Sequence, residues 1–491
     1  MEIIKNNKGG EKLCYGGYSY TKKATTLSTK RWECTKRKAF SCNGKVITDF
    51  QILTIISFKD HNHLPDLTAI KCAKVHTNMK ENALQGRGNT RQIVLDAMVP
   101  LSQDEQIAMG EMETIKRRIR RYRCAGRPNE PRSLQDLKIE GEWAFTKGPN
   151  PQNFLLHDNG INSRNRILIF GTDEGFLHLA ESEIWYMDGT FSCAPNLFQQ
   201  IYIIRAPLGE SAVTCVYAFL TGKSQEIYEE MLQAIIDEGN DRGIQMNVNM
   251  TMTDFEIAMM NAIRNKLGHH IKIKACFYHL TQSTFRKIQE LGLTSLYIND
   301  RNVRHVCGMI DGLAFVPLNR VSDGMQYIKN NAPAELQELI DYFDKTYVTG
   351  TYRATRPRNF HGQNGRPRRN VVNLRRVPPL FPPSIWNMCE ITINNQSRTN
   401  NLCESWNRGF KDLVGYSHPS IWTAIECIRK DAAGVSTDLV KNNRGQILKK
   451  RTRRETVAQQ RKIRDICMAY VNGQKTLTEM LQVIGHNIRL G

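Results

Sequence analysis

Cys34, Cys42, His61 and His63 fall within thirty residues, and two thiolates with two imidazoles make a tetrahedral Zn²⁺ set. His61 and His63 follow a strand-like run, where a spacing of two turns both rings to one face. The spacing is unlike the common C-x₂-C finger, so two packed cysteines beside surface histidines is the plainer alternative. A segment of about 60 residues has little core of its own, and bound metal would supply its folding energy. Acids farther along also stand where chemistry could use them. Asp188 interrupts the apolar run EIWYMDGTF, at a cost in free energy unless it is paired or holds a cation. Asp254 closes NVNMTMTD, at the end of a strand where functional groups gather. Glu404, in TNNLCESWNRGF, sits near the start of a helix that Thr399 or Asn400 would cap. Three carboxylates would suit Mg²⁺ or Mn²⁺, the third being needed for a pair of ions. The bland readings are a helix cap for Asp254 and a dipole-favoured site for Glu404.

These side chains need a frame. After residue 180 come three strand patterns, EIWYMDGTF, QQIYIIRAP and SAVTCVYAFLTG, and then the helical period of SQEIYEEMLQAIIDEG. The strand ending at Asp254, the helix EIAMMNAIRNKLG and the strand HIKIKACFYHL complete a β-β-β-α-β-α-β order. This predicts an α/β fold with a mixed sheet, in which Asp188 and Asp254 converge if the first and fourth strands are neighbours. Residues 1–70 alternate as strands, 71–125 read as helical, and the Pro-containing stretch 125–132 reads as a hinge. Residues 353–383 have no clear period and read as an exposed arm, and the chain from about 418 reads as helical.

Two resemblances sharpen the picture. Leu13, Tyr18, Tyr20, Trp32-Glu33-Cys34, Cys42 and His61-Asn62-His63 resemble the FLYWCH zinc finger over about residues 12–65. Leu13 stands where the family's name-giving Phe would be, which leaves the metal set intact. That likeness implies DNA or protein binding, with Cys34, Cys42, His61 and His63 as zinc ligands. Asp188-Gly189-Thr190-Phe191, Thr253-Asp254-Phe255-Glu256, Cys276-Phe277-Tyr278-His279 and Asn400 to Asn407 occur in the order of the Mutator-like element (MULE) transposase domain, and resemble it over about 150–430. The likeness implies an RNase H-like DDE/D core with Asp188, Asp254 and Glu404 as the catalytic, Mg²⁺- or Mn²⁺-holding triad. It also implies a helical insertion at about 290–395. Cys276 and His279 match the family's C-x₂-H feature; two ligands do not fill a tetrahedral site, so a structural or DNA-positioning role is expected. Trp406 is either core packing or a platform for an unpaired base.

Charge points to the partner. Lys and Arg number 68 against 48 Asp and Glu, a net +20, and a strongly basic chain suits a polyanion. The excess is clumped in residues 1–70, in KRRIRRYR (Arg117, Arg118, Arg120, Arg121), in 352–376 (Arg366, Arg368, Arg369) and in 441–464 (Lys449, Lys450, Arg451). Any one run is readily a solvated face; four of them favour phosphate contact with double-stranded DNA. The segments expected are a finger (1–70), a helical DNA-binding linker (71–149), the transposase domain (150–430) and a basic helical end (431–491). A homo-oligomer is expected where two DNA ends are brought together, and KKRTRR is compatible with a nuclear location. No apolar run approaches the roughly 20 residues of a membrane span, and no glycine-rich phosphate loop follows a strand, which argues against a kinase or dehydrogenase. The expected function is a metal-dependent DNA transposase; the alternative is a domesticated, non-catalytic DNA-binding regulator.

Overall fold

The computed structural model describes residues 1–5, 10–85, 88, 90–355, 373–446 and 454–489. The chain divides into two units, Met1–Asn129 and Glu130–Gly491, and the division falls within 125–132. In the first unit β1 (Glu2–Lys5), β2 (Glu11–Tyr15), β3 (Tyr18–Thr25), β4 (Thr29–Cys34), β5 (Lys45–Asp49) and β6 (Ile55–Lys59) form an antiparallel meander in chain order. Leu13 stands opposite Tyr20, Tyr20 opposite Cys34 and Trp32 opposite Val46. Leu13, Tyr20, Trp32 and Val46 are the small core under that sheet, as the alternation of strand side chains requires. The Trp32 indole N–H donates to buried Thr48 Oγ1 at 3.1 Å, so its polar edge is satisfied inside. Gly16 and Gly17 make the β2–β3 turn at φ +58° and +80°, values a two-residue hairpin demands and glycine adopts freely. α1 (Leu67–Leu84), α2 (Thr90–Met98), α3 (Gln103–Met109) and α4 (Met112–Cys124) enclose a separate core that includes Met79, Val94, Ile115 and Ile119.

The second unit is built on a seven-stranded sheet. Its elements begin with β7 (Leu155–Asp158), β8 (Ile167–Phe170), α5 (Asp173–Glu181), β9 (Ile184–Thr190), β10 (Gln200–Leu208) and β11 (Ser211–Leu220). There follow α6 (Gln225–Asp241), β12 (Met250–Thr253), α7 (Ile257–Lys266) and β13 (Lys272–Ala275). The strand order is β13-β12-β9-β10-β11-β8-β7. β10 lies antiparallel to β9 and β11, while β12 runs parallel to β9, with Met252 beside Tyr186, and β13 runs parallel to β12. The first and fourth predicted strands are thus neighbours. β7 and β8 add two antiparallel strands at the far edge that the sequence pattern did not separate. β8 is ILIF, buried throughout, and so short an apolar run carries no alternation to find.

Helices follow the sheet: α8 (Phe277–Glu290), α9 (Thr294–Asn299), α10 (Arg301–Gly312), α11 (Val321–Asn331) and α12 (Gln337–Phe343). β14 (Thr351–Thr355) and β15 (Asn373–Val377) then pair antiparallel. The expected arm is therefore a two-stranded ribbon at its base, and Arg366, Arg368 and Arg369 lie outside the described residues, as do Lys449, Lys450 and Arg451. The chain ends with α13 (Pro383–Trp386), α14 (Cys389–Ile393), α15 (Asn401–Val414), α16 (Ile421–Asn443), α17 (Arg454–Val471) and α18 (Leu477–Arg489). α18 crosses α10 closely enough that a Cβ on Gly485 would lie 2.8 Å from the Met309 amide nitrogen. Arg489 secures the crossing with an ion pair of 2.6 Å to fully buried Asp311. Gly485→Ala is expected to destabilise this unit by about 1–3 kcal/mol through overpacking. An unchanged midpoint in urea unfolding would contradict so tight a crossing. No described helix is long and apolar enough to cross a membrane.

Candidate functional site

In the first unit Cys34 ends β4, Cys42 precedes β5, and His61 and His63 follow β6. Their four ligand atoms lie within 4.8 Å of one another. Cys34 Sγ is 3.3 Å from His63 Nε2, and Cys42 Sγ is 3.3 Å from His61 Nδ1. The outward ring nitrogens are also engaged, His61 Nε2 with the Tyr20 hydroxyl at 2.8 Å and His63 Nδ1 with the Leu64 carbonyl at 3.0 Å. Outer partners of this kind orient imidazole ligands. The backbone N–H groups of Lys36 and Gly44 donate to the two sulfurs at 3.3 Å each, which suits thiolates. Tyr18 stacks flat on His61 at 3.7 Å, and a Cβ on Gly44 would overlap the same ring. Burial lowers the His61 pKa, favouring the neutral form a metal ligand needs. The donor set, its closeness and its outer partners fit Zn²⁺.

The second unit gathers the predicted acids around one histidine. Asp188, on β9, is 7% exposed; its Oδ1 accepts the Gly189 N–H at 2.8 Å and its Oδ2 accepts Asn407 Nδ2–H at 2.8 Å. Burial pushes its carboxyl up to about 7, with Asp254 adding to the effect. Asp254 directly follows β12, and its Oδ1 lies 2.8 Å from His279 Nδ1. The two form an ion pair at that distance, and neither atom has a further hydrogen-bond partner. Burial opposes charge on His279, but Asp254 and Cys276 outweigh it and raise the imidazole to about 11, making it the cation among these acids. Glu404 is raised too, first by burial and also by Asp254, against His279 and Arg408. Cys276, His279 and Glu404 present ligand atoms within 4.8 Å of one another; the three carboxylates are not such a set among the described residues. Glu404 Oε1, Asn400 Oδ1 and Asn407 Oδ1 join Asp254 Oδ1 and His279 Nδ1 as buried atoms without a hydrogen-bond partner. Orphaned polar atoms gathered on neighbouring residues are what a polar ligand would satisfy.

Several local expectations change. Asn400 stands at the N-cap of α15 without capping it, because its Nδ2–H donates to the Met187 carbonyl at 2.9 Å and ties the helix to β9. Asp254 is not the cap of α7, whose N-cap position is Glu256. Trp406 is 8% exposed, stacks on Phe410 at 4.6 Å and donates its indole N–H to Asp431 at 2.8 Å, so its ring packs α15 and offers no platform to a base. Cys276 is fully buried at the N-cap of α8, where its sulfur accepts the Asn400 N–H at 3.1 Å. Asn400, read only as a cap, and Asn407, read only as part of a motif, were given no role at the site, although four residues before and three after Glu404 place both beside it at the start of α15. Arg117, Arg120 and Arg121 are exposed on α4, while Arg118 is half-buried, 3.5 Å from His76.

No curated protein matches the chain. Residues 184–283 match the MULE transposase domain, a stretch that includes Asp188, Asp254, Cys276 and His279 and ends before Glu404. Residues 3–63 match the FLYWCH zinc finger domain and include all four candidate zinc ligands. In chain order, then, this protein carries a FLYWCH zinc finger domain followed by a MULE transposase domain.

Proposed function

We propose that the protein is a DNA transposase that cleaves and joins strands by metal-dependent phosphoryl transfer, with Asp188, Asp254 and Glu404 as its catalytic carboxylates. The observation that carries this reading is that an acid within β9, an acid directly after the parallel neighbour β12 and a helix-borne glutamate lie among unsatisfied polar atoms. Counted from β9, the order 5-4-1-2-3, with the last two strands parallel to the first, supports an RNase H-like core. Mg²⁺ or Mn²⁺ held there would lower the pKa of an attacking water or DNA 3′-hydroxyl and stabilise the leaving oxygen. The chain's own part is positioning. Gly189 and Asn407 fix the Asp188 carboxylate from two sides, and Asn400 anchors α15 so that Glu404 is delivered to the same place. The finger and the basic segments would hold DNA ends and target through phosphates, with two copies synapsing two ends in the nucleus.

The test uses DNA flanking the gene with Mg²⁺ or Mn²⁺. Metal-dependent breaks and strand transfer at the element ends are expected; specific binding without cleavage under either metal would favour the domesticated regulator instead. Asn407→Ala should weaken metal binding roughly 10- to 100-fold by releasing Asp188, and unchanged Mn²⁺ titration would refute its positioning role. The pH profile has a definite sign. Asp188 must be ionised to hold a cation, and it takes up its proton as pH falls through about 7. Cleavage at limiting Mg²⁺ should therefore decline on the acid side, and saturating metal should move that limb to lower pH. A flat rate between about pH 6 and 8 at limiting metal would contradict this.

A further inference from the structure

We infer that Cys276, His279 and Glu404 form a second transition-metal site, which takes Zn²⁺ and, when filled, withdraws Glu404 from Asp188 and Asp254. Cys276 at the N-cap and His279 in the first turn of α8 place sulfur and imidazole on one turn of helix, and Glu404 arrives from the first turn of α15. The three ligand atoms lie within 4.8 Å of one another. By spacing alone the C-x₂-H pair offers two ligands; the tertiary structure supplies the third, and three protein ligands plus water compose an open zinc site. Sulfur, nitrogen and oxygen together suit Zn²⁺ and serve Mg²⁺ poorly, since Mg²⁺ takes oxygens.

Two further observations bear on the site. The Asn400 N–H donates to Cys276 Sγ at 3.1 Å, so a bond from the start of α15 holds the sulfur beside the helix that carries Glu404. Glu404 Oε1 is buried without a hydrogen-bond partner, and zinc would take His279 in its neutral form, in competition with the contact of 2.8 Å to Asp254. Zinc here and catalysis at the carboxylates compete for one glutamate. The zinc site stands on its own geometry, whereas the inhibition it would cause rests on the catalytic reading of Glu404.

The experiment titrates the full-length protein with Zn²⁺, and with Co²⁺ as a probe whose bond to thiolate absorbs in the near ultraviolet. Wild type should bind about one equivalent more than Cys276→Ser, with a matching loss of thiolate–cobalt absorption in the variant. Equal stoichiometry and equal absorption would overturn the site. His279→Gln provides the same readout should Cys276→Ser fail to melt like wild type. In the cleavage arm, Zn²⁺ added to fixed Mg²⁺ should inhibit wild type at least tenfold more strongly than Cys276→Ser. Extra zinc bound without that difference would overturn the link to Glu404. If wild type holding only its finger zinc cleaves nothing, the catalytic reading fails, and the metal count alone decides the site.

Discussion

Asp188→Asn is expected to lower metal-dependent DNA cleavage by roughly a thousandfold or more, with DNA affinity and its salt dependence nearly unchanged. Asparagine has the same shape, and the neighbours can accommodate it. Its Oδ1 can still accept the Gly189 N–H, and its amide N–H can donate to Asn407 Oδ1, which has no hydrogen-bond partner. What disappears is the negative charge at the most buried of the three acids. The variant also separates function from folding. An acid whose folded pKa is raised, here to about 7, loses stability progressively as pH rises from the ordinary carboxylate range to that value and carries the full cost above it. Neutral asparagine removes that cost, so in metal-free buffer near pH 8 the variant should melt no lower than wild type. Cleavage retained within tenfold would remove Asp188 from the chemistry. Cleavage lost together with a lowered melting temperature would mark it as structural.

Cys34→Ser should produce the largest structural effect in the chain. The sheet β1–β6 covers only the small core Leu13, Tyr20, Trp32 and Val46, too little to hold a finger of this size without a cross-link. Structural zinc contributes on the order of 10 kcal/mol to such folds, and Cys34 joins the end of β4 to His63 beyond β6. The variant should bind about one zinc equivalent fewer than wild type, and limited proteolysis should cut within residues 3–63. A strong chelator should do the same to wild type. Undiminished zinc content with an intact proteolytic pattern would refute the four-ligand site.

Much of this molecule is legible in one dimension because the relevant forces are local. Long apolar runs mark β9 to β11, helical period marks α6 and α7, and an acid inside EIWYMDGTF stands out against its neighbours. Turn chemistry is equally local, as Gly16-Gly17 shows. The finger ligands and the transposase motifs were picked out by their resemblance to known families, which short runs of sequence carry. The buried strand ILIF, one in from the edge of the sheet, was not legible, because it is only four residues long and apolar throughout.

What tertiary structure decided are the contacts between distant segments. Asn407 reaches Asp188 across 219 positions, and Asn400 reaches Met187 across 213; no local pattern encodes either bond. The intervening helices must fold and pack before α15 can meet β9, and that packing turns Asn400 from an expected cap into an anchor. It also closes Trp406 into the core and brings Glu404 to Cys276 and His279. The sequence by itself determined which groups could ligate metal and which strands would carry them. Only the packed chain decided which of them share a site, because burial and long-range hydrogen bonding are properties of the whole fold.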